Sequence, residues 1–213
     1  VLRDLINLTK QEKNNQYLRA LVFQLYEKNG VIKRSEIDNI VKLIPPEERK
    51  KLWGMGIKIG RYHVYLHKML KPKAVEFRIS LWKIFYNLTK NHTIPRSGLN
   101  FIIDKNYEKN FLLLCGFEKF KDYFVRIDIL EKLFIKILDN TKDRKFKINS
   151  EMMNLLGCTK ENFYKLMTYM DYKKDKVEDT YIFKGERKKK SDKIIKFDKN
   201  ENPFKKLLSL NIK

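Results

Sequence analysis

Apolar residues recur at helical spacing along most of the chain, but only in short runs that glycine or proline interrupts. The first run covers residues 15–29, and Gly30 follows it directly. Its one-sided apolar residues are Leu18, Leu21, Val22 and Leu25. Glycine readily adopts the left-handed conformation that ends a helix. Short alternating segments such as residues 61–66 separate the runs and predict strands. The sequence therefore predicts a mainly α fold with small β hairpins.

The longest helical run covers residues 73–88 and begins directly after Pro72, a residue suited to the first turn of a helix. Its apolar residues cover a wide arc of the predicted helix: Val75, Phe77, Leu81, Trp82, Ile84, Phe85 and Leu88. A helix that is apolar around so much of its circumference is typical of a buried position. We therefore predict that this helix is central to the fold.

Several helix starts are marked by residues that can cap the free backbone N–H groups. Ser35 followed by Asp38, and Asp128 followed by Glu131, resemble capping arrangements, and Ser150 and Thr159 each precede an apolar run. We expect these side chains to fix where the corresponding helices begin.

Two stretches, about residues 16–66 and 128–183, repeat one order of predicted elements. Each runs from a helix through a short strand to two further helices, and ends in a strand or hairpin. This is the order of a winged helix, which can lay one helix in a nucleic-acid groove and rest its wing on phosphates. Two alternatives remain: such runs also recur by chance, and many winged helices bind protein or simply pack.

The repeat implies two helical lobes. Residues 1–90 form a lobe with a winged-helix-like unit and the central helix, residues 91–126 a connector, and residues 127–184 a second winged-helix-like unit. Residues 185–213 are rich in charge and form a basic linker with a C-terminal docking tail.

The charge of the chain indicates an anionic partner. Lys and Arg number 47 against 26 Asp and Glu, a net charge of +21. Phosphate backbones are the expected partner, because each neutralised phosphate releases counterions; codon bias in an AT-rich genome is the alternative explanation for the lysines. The basic groups that cluster near predicted strands, turns and the tail are the candidate contacts: Lys58, Arg61, His63, Lys68, Lys71, Lys73, Arg187, Lys188, Lys189 and Lys190.

The sequence contains no catalytic constellation. It has no phosphate-binding loop and no paired carboxylates placed as acid and base. His63 and His67 share a face but have no further ligand placed to complete a metal site, so no metal is expected. Cys115 and Cys158 stand beside glycines in apolar surroundings and are predicted to be inert thiols. With two cysteines and no membrane-length apolar run, a reducing, cytoplasmic location without a membrane partner is expected.

Several segments, in a fixed order, resemble the C-terminal region of bacterial superfamily-two (DExH-type) RNA helicases related to the mitochondrial degradosome helicase. The most specific part is LKPKA followed by LW, at residues 70–74 and 81–82. The other segments are residues 18–25, 53–60, 61–66, 115–117, 125–131 and 202–204. The resemblance extends over most of the chain, about residues 18–208.

This resemblance implies an accessory nucleic-acid-binding region that grips or guides the strand for an ATP-dependent helicase motor. The two RecA-like motor domains, with their ATP and Mg²⁺, would lie upstream in the same polypeptide, which fits a chain that starts at Val1. No catalytic residue can be carried over, and no cofactor is expected within these residues. RNA is favoured over DNA as the partner.

Two other functions compete with this one. A sequence-specific DNA-binding protein with tandem winged helices, such as a replication initiator, would prefer one duplex site. A protein-docking module would use the charge for solubility or ribosome association.

Overall fold

The computed structural model describes residues 16–87, 93–103, 109–176 and 179–182. These residues form eight α-helices and three small antiparallel sheets, so the fold is mixed, with more helix than strand. Three layers follow one another along the chain. We call residues 16–70 the N-unit, residues 71–126 the middle layer and residues 127–182 the C-unit.

The N-unit consists of three helices and a three-stranded sheet. Its elements are α1 (Gln16–Glu27), β1 (Val31–Lys33), α2 (Arg34–Lys42), α3 (Pro46–Gly54), β2 (Ile57–Ile59) and β3 (His63–Leu66). The strands are antiparallel in the order β1-β3-β2, with Val31 opposite Tyr65 and Ile57 opposite Leu66. β3 therefore lies between the other two strands although it comes last in the sequence.

A single apolar cluster holds the N-unit together. The face predicted for α1 is buried, and its side chains pack with residues from both other helices and all three strands. The central members are Leu21, Leu25, Ile37, Val41, Leu52, Ile57 and Val64. Gly30 has a φ of +84°, which confirms that it ends α1 in the left-handed conformation.

The middle layer packs a long helix against a second small sheet. A 3₁₀ turn (His67–Leu70) leads into α4 (Pro72–Phe85), followed by β4 (Phe101–Ile103), α5 (Lys109–Leu114), β5 (Phe117–Phe120) and β6 (Tyr123–Arg126). The strand order is β4-β6-β5. The predicted connector, residues 91–126, thus contains three strands and a helix. Its core, shared with α4, is formed by Val75, Ile79, Phe111, Leu112, Cys115, Phe117 and Phe124.

The prediction that the helix after Pro72 is central is wrong. Only Val75, Arg78 and Ile79 of α4 are buried. The opposite face exposes four large apolar side chains: Phe77, Leu81, Ile84 and Phe85. Leu88, predicted to end the helix, lies outside the described residues. A wide apolar arc therefore does not distinguish a central helix from one that packs on one side only.

The C-unit follows β6 without a loop. Its elements are α6 (Ile127–Asp139), β7 (Thr141–Lys142), β8 (Lys145–Lys147), α7 (Ser150–Leu156), α8 (Lys160–Tyr169), β9 (Lys173–Lys174) and β10 (Thr180–Ile182). The sheet order is β7-β8-β10-β9. The core is the largest of the three and includes Leu130, Leu133, Ile137, Phe146, Met152, Leu156, Phe163, Leu166 and Tyr181.

Of the four capping predictions, one agrees with the structure and three differ from it. Thr159 caps α8, because its hydroxyl accepts a hydrogen bond from the Asn162 N–H. α7 is capped one residue earlier than predicted, by Asn149 instead of Ser150. Ser35 lies inside α2, whose N-terminus has no side-chain cap.

The predicted cap at Asp128 and Glu131 is also wrong. Asp128 lies in the first turn of α6 and pairs with the guanidinium of Arg126 at 2.6 Å. Glu131 is turned away from its own helix end and toward the N-unit, as described below. The predicted basic tail, residues 185–213, lies outside the described residues. Among the residues that are described, no helix is both long and apolar enough to cross a membrane.

Candidate nucleic-acid interface

In the N-unit, α2 and α3 form a helix–turn–helix whose turn is held by one arginine. The connection is only three residues long, 43–45. Arg49 of α3 donates from Nε to the Ile44 carbonyl at 2.9 Å and from Nη2 to the Val41 carbonyl at 3.0 Å. These carbonyls belong to the end of α2 and the turn, where backbone acceptors have no helical partner. Arg49 therefore fixes the angle between the two helices and leaves the outward face of α3 to other residues.

The outward face of α3 combines cations with an exposed aromatic ring. Trp53 is 65% exposed, and the Lys58 ammonium of β2 lies 3.8 Å from its ring centroid. Lys50, one turn earlier, is exposed as well. Glu47 and Glu48 occupy the first turn of the helix, so the positive surface belongs to its C-terminal half. We call Lys50, Trp53 and Lys58 the α3 patch.

Apart from His63, the sequence-predicted contacts that the structure describes lie in three places. Lys58 belongs to the α3 patch, whereas Arg61 occupies the turn between β2 and β3 with its side chain exposed. The exposed side chains of Lys68, Lys71 and Lys73 follow in the 3₁₀ turn and the start of α4. Arg187, Lys188, Lys189 and Lys190 lie outside the described residues.

His63 was predicted as a contact, and its position corrects that prediction. The side chain is 1% exposed, and its Nε2 donates to Glu118 Oε2 at 2.8 Å. Nδ1 lies 3.8 Å from Glu131 Oε1. Glu118 also accepts from the Lys33 ammonium at 2.5 Å. His63 is therefore part of a buried charge cluster and presents no surface to a nucleic acid.

The buried cluster shifts both titrating partners toward their charged forms. Burial alone would lower the pKa of the His63 ring, but the hydrogen bond to Glu118 and the charges of Glu118 and Glu131 raise it above its usual value. Burial likewise would raise the pKa of the Glu118 carboxyl, yet His63 and Lys33 lower it overall. The cluster is thus an ion-paired contact between β1, β3, β5 and α6.

α7 and α8 form a second helix–turn–helix. Two lysines of α8 form ion pairs with acidic residues of the C-unit. Lys160 pairs with Asp179 at 2.9 Å and Lys165 with Glu161 at 2.5 Å. Asp179 also accepts from the Tyr164 hydroxyl. Gly157, with a φ of +69°, forms the tight turn between the helices. Acidic groups of the C-unit therefore already engage both lysines of α8.

The outer face of the C-unit sheet carries lysines that the sequence analysis did not single out. Phe146 and Tyr181 are paired in the register and both are buried, so they mark the inner face. Side chains alternate along a strand, and paired residues share a face. The register then puts four exposed lysines on the outer face: Lys142, Lys145, Lys147 and Lys173. We call them the sheet patch.

The sheet patch stands out because its unit as a whole is almost uncharged. Residues 127–182 contain 11 Lys or Arg and 10 Asp or Glu, whereas residues 16–70 contain 11 and 5. Of the four lysines, Lys145 forms an ion pair with Asp175 at 2.8 Å. In β8, Lys145 and Lys147 stand on either side of Phe146, and this alternation is the sequence pattern that predicts a lysine-bearing outer face.

No family model, curated protein or solved structure matches the chain. In the ranges that the structure describes, no group of three or more His, Cys, Asp or Glu side chains is placed to hold a metal ion. Cys115 is buried and Cys158 half-buried, and both thiols are free. Burial raises the pKa of Cys115 to about 12 and that of Cys158 to about 11, which keeps both thiols protonated near neutrality.

Proposed function

We propose that the chain is a duplex-DNA-binding protein with two winged-helix units, the N-unit and the C-unit. The observation that carries this proposal is a repeated topology. The N-unit runs helix, strand, helix, helix, strand, strand, and the C-unit follows the same order with one additional strand, β7, before β8. In each unit the last strand lies between two partners, as β1-β3-β2 and β8-β10-β9. This repeat supports the proposal because it is the order expected of a winged helix, in which the second helix of the helix–turn–helix enters the major groove.

The surface chemistry supports contacts to a phosphate backbone in both units. The α3 patch offers two cations beside an exposed indole. The sheet patch offers lysine ammonium groups on a short antiparallel sheet. Lysine contacts to phosphates position a protein on DNA, while base-edge contacts from a helix supply sequence preference. Two units in one chain favour a composite duplex site over a single-stranded one.

A random-site selection from a duplex library tests the proposal. Selected sequences should bind at least about 10³-fold more tightly than unselected duplex of equal length at physiological salt. Fluorescence anisotropy with labelled duplex gives both affinities. Single-stranded RNA of the same length is the comparison probe, and it should bind no better than unselected duplex.

Variants of the α3 patch connect this binding to the structure. Lys50→Gln together with Lys58→Gln removes two cations from exposed or half-exposed positions and should weaken duplex binding by about 10-fold. Lys28→Gln with Lys132→Gln removes two exposed cations far from the patch in sequence and should change affinity less than threefold. Equal losses in both double variants would contradict a localised interface.

The accessory role in an ATP-dependent RNA helicase stays a separate proposal, supported by the segment resemblance and by the net charge of +21. It predicts weak binding to single-stranded RNA or DNA without preference for one duplex site, with an affinity that falls steeply as the salt concentration rises. Anisotropy titrations at two salt concentrations measure this. A reading frame upstream of Val1 that encodes a phosphate-binding loop would support it independently.

A further inference from the structure

The turn between β2 and β3 of the N-unit is bound by a carboxylate of the C-unit. Glu131 of α6 is 7% exposed and accepts three consecutive backbone N–H groups: from Arg61 at 2.6 Å, Tyr62 at 2.9 Å and His63 at 2.8 Å. Successive N–H groups that converge in a turn form an anion-binding concavity. A carboxylate from another part of the chain fills this one.

Gly60 leaves the space that this contact requires. A Cβ placed on Gly60 would lie 2.2 Å from the Glu131 carboxyl carbon, far inside van der Waals contact. The backbone of Gly60 is not in the left-handed region, so glycine is required here because it has no Cβ and not because of its φ angle. Any side chain here would push the carboxylate out of the turn.

Other contacts surround the carboxylate and tie the same elements together. Tyr62 packs edge-on against Phe134 of α6 and Phe120 of β5, with ring centroids 5.8 and 6.4 Å apart. The Glu118 carboxylate lies between Lys33 and His63, as described above. We call the three N–H bonds to Glu131, together with this Glu118 bridge, the interlock.

The interlock connects elements that carry the two proposed DNA-contacting surfaces. The bound turn joins β2, which carries Lys58, to β3, and β2 packs against α3. On the other side, α6 leads through Asn140 into β7, which carries Lys142 of the sheet patch, and α6 also packs against α7. Buried hydrogen bonds to a charged acceptor resist bending more than surface contacts do. The α3 patch and the sheet patch therefore cannot change their separation without breaking the interlock or bending the units.

We propose that Glu131 is a positioning residue that sets the distance between the α3 patch of the N-unit and the sheet patch of the C-unit, so that the protein recognises two DNA half-sites at one fixed spacing. This inference rests on the proposed function, because it specifies the class of duplex that the same two units bind. A turn that holds a carboxylate is also unavailable to phosphates. The N-unit then contacts DNA through the α3 patch and not through the tip of its hairpin.

The test inserts base pairs between the two halves of the selected duplex site. The wild-type chain should lose at least about 100-fold in affinity when five base pairs, about half a helical turn, are inserted. In Glu131→Gln and in Gly60→Ala this loss should shrink to about 10-fold or less, because the units can then reorient. Lys132→Gln, an exposed neighbour on α6, is the matched control and should keep the wild-type spacing preference.

A second measurement needs no DNA and keeps the inference testable if one variant is poorly folded. Spin labels on Lys50→Cys of α3 and Thr168→Cys of α8, in a Cys158→Ser background, should give one narrow distance distribution. Gly60→Ala, which alters the opposite side of the interlock, should broaden it. Folded variants with an unchanged distribution and an unchanged spacing preference would overturn the role of Glu131. A wild-type chain that binds no selected duplex would overturn the proposed function instead, whatever the labels show.

Discussion

At the scale of single residues, the fold depends on charged side chains placed where apolar ones would be expected. Arg78 is 5% exposed, and its guanidinium donates to the carbonyls of Asn29 at 2.9 Å and of Leu114. Burial lowers its pKa to about 10, so the group stays protonated at neutral pH. The Asn29 carbonyl lies in the turn after α1 and the Leu114 carbonyl ends α5, so Arg78 of α4 connects the ends of these two helices.

Removing this guanidinium should destabilise the protein. It should leave the charges of the α3 patch and of the sheet patch unchanged, because Arg78 is buried. Arg78→Met keeps most of the volume but leaves two buried carbonyls without a donor, at a cost of about 2–3 kcal/mol in the free energy of unfolding. Urea denaturation followed by circular dichroism measures this. Lys83→Met on the same helix is the control and should cost less than about 0.5 kcal/mol. Equal losses of unfolding free energy in the two variants would show that the hydrogen bonds of Arg78 to the two carbonyls do not stabilise the protein.

The buried histidine gives the stability of the interlock a pH dependence whose sign follows from its pKa. The folded pKa of His63 is raised, so protonation is favoured by the folded state. Its contribution is fully present below the unfolded pKa of about 6.5 and is lost as pH rises through the folded value. The groups facing the ring are Glu118 and Glu131, with Lys33 behind Glu118.

We therefore expect the free energy of unfolding to fall between pH 6 and pH 9 by more in the wild type than in His63→Gln. Glutamine keeps a donor near Glu118 but cannot be protonated. Below about pH 4.5 the lowered pKa of Glu118 acts in the opposite direction, since its contribution fades as pH falls through the folded value. Thermal melts across this range provide the measurement, and parallel pH profiles for the two proteins would refute the linkage.

At the scale of elements, sequence periodicity predicted where helices lie better than what surrounds them. The one-sided apolar run predicted for α1 corresponds to a buried face, because local spacing determines which side chains share a face. The same reasoning failed for α4, since an apolar arc does not reveal whether a second layer covers it. The sequence analysis was also wrong about His63, predicted as a surface contact, and about Glu131, predicted as part of a helix cap. Their partners are 55 and 68 residues away, and only the packing of three layers brings them together.

The lysines of the sheet patch should contribute to duplex binding as a group. Replacing Lys142, Lys147 and Lys173 by Gln removes three exposed cations from one sheet face and should lower duplex affinity by about 10- to 30-fold at low salt. The slope of log affinity against log salt should decrease in magnitude by about two to three. Lys160→Gln with Lys165→Gln, on α8, should have a smaller effect because acidic groups already engage both ammonium groups. A larger loss from the α8 pair would place the contact on that helix.

At the scale of the whole molecule, the two units differ in where their candidate contact surfaces lie. In the N-unit the candidate surface is the α3 patch, on a helix and a neighbouring strand, and in the C-unit it is the sheet patch, on the outer face of the sheet. Residues 71–126 contribute 11 Lys or Arg and 5 Asp or Glu between them, so the net charge of +21 is not concentrated in either unit. If both units contact one duplex, they approach it with different surfaces, and the preferred site should be asymmetric.

Half-site dissection tests this asymmetry on the intact chain. Scrambling the half-site bound by the N-unit should reduce the effect of Lys50→Gln with Lys58→Gln, because that unit then no longer docks in one register on the phosphates, while the sheet-patch variant should weaken binding as before. Scrambling the other half-site should give the reverse pattern, because a side chain can lose only a contact that it makes. On the complete site the two free-energy losses should add within about 0.5 kcal/mol, since the patches belong to different units. Anisotropy titrations of the three duplexes with the two variants and the wild type give all the binding free energies that this comparison needs. Variants that respond identically to both scrambled sites would mean that the two units do not read separate half-sites.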